Sequence, residues 1–188
     1  MIVPEVQRSE RVLDPLKQRM DLGGYIYILN HFIGLDVFMK PRELEQFLYE
    51  YIPLSKAMGV QVRRSNAEHV VLSAPLIPNR NHQSTVFGGS ASAVAILAAW
   101  SLLHLRLKQA GLQVRLVIRQ NTMKYERPIQ GKFLASSSVG DLPAWDRFQE
   151  MLKRKHRARI SIKVTIRCHG EDVGEMLGEF VALASPLG

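Results

Sequence analysis

Apolar and polar residues follow three rhythms along this chain, and each predicts a different kind of element. The longest is a nearly unbroken apolar run, Ala91, Ala93 to Trp100, Leu102, Leu103, Leu105 and Leu107, with no Asp or Glu between Gly88 and Gln109. A helix apolar on all sides is either a membrane span or the centre of a globular core. Ala91 to Leu105 would rise only about 22 Å, short of the roughly 30 Å hydrocarbon layer, and Ser92, Ser101 and His104 interrupt it. The run therefore predicts a core helix. Arg106 and Lys108 complement its negative end, and Gly111 can close it in the left-handed conformation.

The second rhythm is helical spacing with one apolar face. Pro41 starts a segment in which Leu44, Phe47, Leu48 and Tyr51 recur at that spacing, which predicts a helix over 41–51 stopped by Pro53. Trp145, Phe148, Met151 and Leu152 give a loop and short helix within 141–156. The third rhythm is alternation. Val60 and Val62, a turn at Arg64-Ser65-Asn66, and Val70, Leu72, Ala74 and Leu76 read as a hairpin. A long strand over 114–125 changes phase between Ile118 and Met123, which predicts a bulge near Gln120 or Asn121. Strands follow over 133–139, 159–168, where Ile160, Ile162, Val164, Ile166 and Cys168 alternate cleanly, and 173–184. Six mostly antiparallel strands curled around one buried helix are an economical way to cover every face of that helix, an α+β architecture.

Residues 1–38 read as an N-terminal extension, with a break at Asp21-Leu22-Gly23-Gly24, ahead of a domain over 39–188. Its apolar stretch, 25–38, contains Asn30, His31 and Asp36 and is too short to span a bilayer. It suits a helix packed on the domain, an amphipathic lid over the domain's channel or edge, or a membrane-surface helix. A chain start near Met39 is the alternative, which the intact mass of the native protein decides.

Composition changes this picture in two places. Cys168 is the sole cysteine, which excludes an internal disulfide and a cysteine metal cluster and fits a reducing, cytoplasmic setting. The net charge of +8 favours an anionic partner, such as nucleic acid, a membrane surface or a phosphate-bearing substrate. The run Lys153, Arg154, Lys155, His156, Arg157 and Arg159 lacks interleaved aromatics, so base stacking is unsupported. The same run suits phosphates, or a solvated connection between a helix and a strand.

The candidate chemistry lies ahead of the core helix, in the polar loop Asn79 to Thr85 followed by Phe87, Gly88, Gly89 and Ser90. Paired glycines let a ligand approach the backbone, and the first helical N–H groups can hold a carbonyl oxygen or a developing oxyanion. Imidazole is the side chain most often used as a general base, which makes His82 a candidate; Gln120 or Asn121 could hold a water, and Ser84, Thr85 and Ser90 suit binding or helix capping. Ser90 lacks a visible base and orienting acid, which excludes a serine-hydrolase triad.

Ile52-Pro53-Leu54, Pro78 to His82, Thr85 to Ser90 and Tyr125 to Ile129 resemble the hotdog-fold thioesterases. The likeness runs from about Pro41 to Ala184 and is nearest to the thioesterase domain that some bacterial proteins carry behind an acetyltransferase domain. It implies a curved antiparallel sheet around one long central helix, and hydrolysis of an acyl thioester carried on coenzyme A or acyl carrier protein. It further implies a site shared across a homodimer or a dimer of dimers, without cofactor or metal. Gly88 and Gly89 would hold the carbonyl, Phe87 would wall the pocket, and Asn81, Thr85 and Ser90 would contact substrate. Lys153, Arg154 and Arg157 would meet the carrier's phosphates or acidic face. Hotdog thioesterases that place an acid on the helix or on the following strand have no counterpart on this helix, and Gln120 stands at the strand position. His82, Gln120 and Asn121 are therefore the candidates for handling water. Two alternatives follow, a catalytically silent acyl-coenzyme A-binding module and a hotdog dehydratase or hydratase, the latter opposed by the acid-free helix.

Overall fold

A computed structural model describes residues 39–184. The readings made for residues 1–38, including the break and the apolar segment 25–38, lie outside the described residues. Helices α1 (Pro41–Tyr51) and α2 (Pro53–Ala57) open the domain, followed by strands β1 (Gln61–Ser65) and β2 (His69–Ala74), a 3-10 turn at Ile77–Asn79, and the long helix α3 (Gly88–Gln109). Then come β3 (Val114–Tyr125), β4 (Phe133–Ser138), α4 (Leu142–Lys155), β5 (Arg157–Cys168) and β6 (Glu171–Ala184). The strands form one antiparallel sheet in the order β1-β2-β4-β5-β6-β3, curled around α3 in the hotdog arrangement.

Alternation places the sheet's apolar face on the helix. Val70, Leu72 and Ala74 of β2, Phe133 and Ala135 of β4, Ile160, Ile162, Val164 and Ile166 of β5, and Met176 and Phe180 of β6 are buried with Val94, Ala98, Leu102 and Leu105 of α3. Ser137 is the polar member of this face, and its hydroxyl donates to the Ala98 carbonyl at 2.8 Å, tying β4 to the helix. As a 22-residue helix α3 is about 33 Å long, long and apolar enough to cross a membrane. The length argument made over Ala91 to Leu105 therefore undercounts the helix; burial within the sheet is what marks α3 as a core element. Gly111 closes it with φ 69°, and Leu112 N–H donates back to the Leu107 carbonyl at 2.9 Å.

Several boundaries differ from the pattern reading. Pro53 does not simply stop α1 but begins α2. The hairpin turn is Asn66 to Glu68 rather than Arg64 to Asn66, because the Asn66 carboxamide oxygen accepts from the N–H groups of Glu68 and His69. Helix α4 is present but fills 14 residues rather than sharing the segment with a loop, and it is started by the Asp141 carboxylate accepting from Ala144 N–H at 2.9 Å. The bulge in β3 falls at Arg119, between the Ile118–Phe180 and Gln120–Glu179 pairs.

His104 of α3 stacks on Trp100 and on Phe47 of α1, with ring centroids 4.9 and 5.1 Å away. Burial pushes its pKa below the usual imidazole range, and Lys108 one turn on adds repulsion. The unfolded chain thus takes up this proton at higher pH than the fold does. The stability contributed by neutral His104 is whole above about pH 6.5 and is lost as pH falls through that value toward the folded pKa. Thermal midpoints should drop on this acid side in the native protein and drop less in His104→Gln; an equal slope in both would reject the assignment.

Candidate active site

Phe87 is the N-cap of α3, and no side chain caps the helix. None of Ser84, Thr85 and Ser90 takes the capping role open to it in the sequence. The first helical turn therefore presents backbone N–H groups without side-chain acceptors, the positive end of a long helix dipole. The Phe87 backbone is pinned by donation of its N–H to the Asn79 carbonyl at 2.7 Å. Asn79 is itself fully buried, and its amide donates to the carbonyls of Met58 and Pro75.

Asn81 shapes the preceding loop. Its carboxamide oxygen accepts from the N–H groups of Gln83 and Thr85, and its amide donates to the Thr85 hydroxyl at 2.9 Å. Ser84 takes a left-handed conformation at φ 62° to complete the turn. Val86 N–H then donates to the Ile129 carbonyl at 2.8 Å, joining the loop to the segment after β3. Between these two walls lies an open groove of about 470 Å³, lined by Gln83, Thr85, Val86 and Gly88 on one side and by Tyr125 to Gln130 on the other.

Two aromatic rings sit on the paired glycines. A Cβ on Gly88 would lie 3.2 Å from the Tyr125 ring and hydroxyl, and one on Gly89 would lie 2.3 Å from Phe87 Cε1. The glycines thus admit the rings of Tyr125 and Phe87, which take the space that a Cβ at either position would need. The Tyr125 hydroxyl donates to the Gly88 carbonyl at 2.8 Å, which fixes the end of β3 to the start of α3. Burial raises the Tyr125 pKa, so the phenol stays protonated and remains a donor.

The sequence-predicted residues separate into four groups. Thr85, Phe87, Gly88, Gly89 and Ser90 gather at the helix start. His82 is exposed at the loop tip, has no side-chain hydrogen bond among the described residues, and does not line the groove. Gln120 pairs with Glu179 on the outer face of the sheet, away from α3, while Asn121 pairs with Gly178 on the helix side. The bulge at Arg119 causes this division, since one extra residue reverses the faces beyond it. Lys153, Arg154 and Arg157 are exposed near the opposite end of α3, where Arg106 packs over Trp145 of α4 at 4.4 Å and β5 begins beside Leu183. In the sequence Tyr125 and Glu126 stand out only as part of the Tyr125 to Ile129 motif. Contact with Gly88, 37 residues earlier, is what gives them a place in the site.

Comparison with known proteins matches residues 41–184 to a family described as "Putative thioesterase (yiiD_Cterm)". Among solved structures, a protein of unknown function from Chlorobaculum tepidum superposes with TM-score 0.72 at 27% identity, over 77% of this chain and 94% of that one. A "putative thioesterase" from Shewanella oneidensis gives TM-score 0.68 at 22% identity, over 76% of this chain and 96% of its own. A Pseudomonas aeruginosa protein described as a probable thioesterase gives 0.68 at 20%, over 78% and 97%. The matched family spans the whole sheet, the central helix and the groove at its start, and this chain belongs to that thioesterase family, on a hotdog fold.

Proposed function

We propose that this protein hydrolyses an acyl thioester carried on coenzyme A or acyl carrier protein, with the carbonyl received at the start of α3. The observation that carries this reading is the uncapped first turn of α3, opening on a groove beside two glycines. Backbone N–H groups fixed at that turn stabilise the oxyanion that forms when water attacks the carbonyl, without reorganising as charge develops. Family membership supplies the reaction class.

The unit that works is a homodimer. Among the described residues nothing pairs with the outer edge of the 12-residue strand β3, and a long free edge of this kind is a template for another strand. Ser92, Ala93, Ile96, Trp100 and His104 form a half-buried stripe along α3. Two copies joined at β3 about a two-fold axis run antiparallel. Each α3 start then lies beside the end of its partner's α3, which brings the partner's basic turn toward the thioester carrier. The phosphate-binding role of Lys153, Arg154 and Arg157 fits this cross-subunit arrangement better than one within a single chain.

The test is thiol release from a panel of short, medium and long acyl-coenzyme A esters, with sedimentation run in parallel. Turnover of at least one ester, by a species of twice the 21.3 kDa chain mass, is the expected result. Tight binding of every ester without turnover would identify a silent acyl-coenzyme A-binding module instead.

A further inference from the structure

We infer that Glu126 is the general base that activates water in this site, an assignment that rests on the thioesterase reading. Catalysis of this kind needs a proton acceptor beside the carbonyl site, and α3 contains no acid from Gly88 to Gln109. The structure answers this need from the other wall of the groove. Glu126 is the sole carboxylate among the residues that line it. It forms no ion pair among the described residues, whereas its neighbour Arg127 pairs with Glu171.

The position of Glu126 is fixed on both sides. Its own N–H donates to the Val173 carbonyl at 3.0 Å, and Arg127 N–H donates to the same carbonyl at 3.2 Å. The preceding residue, Tyr125, is held to Gly88 by its hydroxyl. The carboxylate therefore starts from a backbone anchored one residue away from the contact with the helix start. The rival candidates lack this placement: His82 and Asn121 lie outside the groove lining, and Gln120 faces the opposite side of the sheet.

The Glu126 carboxylate takes a proton from a water molecule as the water oxygen forms a bond to the thioester carbon. The carbonyl π pair moves onto the oxygen held by the N–H groups of the first turn. When that pair returns, the carbon–sulfur bond breaks, and the leaving thiolate takes up the proton from Glu126. The products are a carboxylic acid and a free thiol, and the carboxylate is regenerated.

Glu126→Gln keeps the size of the side chain and removes its basicity. With the acyl-coenzyme A ester turned over best by the native protein, this variant should lose about 10²- to 10⁴-fold in kcat, with KM and thermal midpoint little changed. Formate added to Glu126→Ala should restore part of the rate, which a purely structural role would not allow. Glu150→Gln, which removes one exposed carboxylate from α4, should behave as the native protein. A Glu126→Gln enzyme within twofold of native kcat, or a comparable loss in His82→Ala alone, would overturn the assignment while leaving the thioesterase intact. A native protein inactive toward every acyl thioester would overturn both.

Discussion

Leu102→Ala should lower the unfolding free energy by about 3 to 5 kcal/mol. Leu102 is fully buried near the middle of α3, where the curled sheet encloses the helix. A surface helix can settle into the space left by a missing isobutyl group. This one is pinned at both ends, by Tyr125 on Gly88 and by Arg106 between the Ala67 carbonyl and the Trp145 ring. The cavity therefore persists, and the cost is that of lost transfer energy plus lost packing. Set against a total of about 5 to 15 kcal/mol for a typical domain, the effect should appear as a thermal midpoint roughly 10 °C lower. Leu177→Ala, at a side chain that is 55% exposed on the outer face, should stay within about 1 kcal/mol of native. Equal losses in the two variants would show that α3 is not the rigid centre of the fold.

The sequence made the scaffold legible because burial is written in local periods. The ends of α1, α3 and β3 follow from Pro41, Gly88, Gly111 and the alternation of Val114 to Tyr125, all of which act within a few residues. Less of the site could be read this way. Its two walls are separated by the whole of α3 and β3, and their contact depends on the register of β3 against β6. The phase change is visible in the alternation and predicts a bulge near Gln120 or Asn121, but it does not single out Arg119, and so leaves the facing of those two side chains open. One residue decides whether Gln120 meets α3 or solvent. The acid missing from the helix then turns up at Glu126, beyond the strand's end, where no periodicity points to it.

Gly174→Ala should reduce turnover by about 100-fold while the protein still folds, because it disturbs the register on which the groove depends. Gly174 is buried in β6 opposite Tyr125. A Cβ there would lie 2.7 Å from the Lys124 carbonyl oxygen, a backbone atom that no rotamer change can move. The end of β3 must part from β6, carrying with it Tyr125 and the pair of N–H groups that Glu126 and Arg127 donate to Val173. Displacement of about 1 Å at such a site costs on the order of 10²-fold in rate, and the strain itself costs about 1 to 3 kcal/mol of stability. Gly178→Ala provides the contrast. Its Cβ would meet Phe180 Cε2 at 2.9 Å and Met176 Cε at 3.1 Å, the outer atoms of side chains that can shift. That substitution should cost comparable stability, since it overpacks the same core, yet leave the end of β3 and the rate within a few fold of native. Measuring thermal midpoint and kcat for the two variants together separates site geometry from general loosening. If both lose activity in proportion to stability, the anchored end of β3 has no special part in the reaction, and the placement of Tyr125 and Glu126 against Gly88 would have to be abandoned as the basis of catalysis.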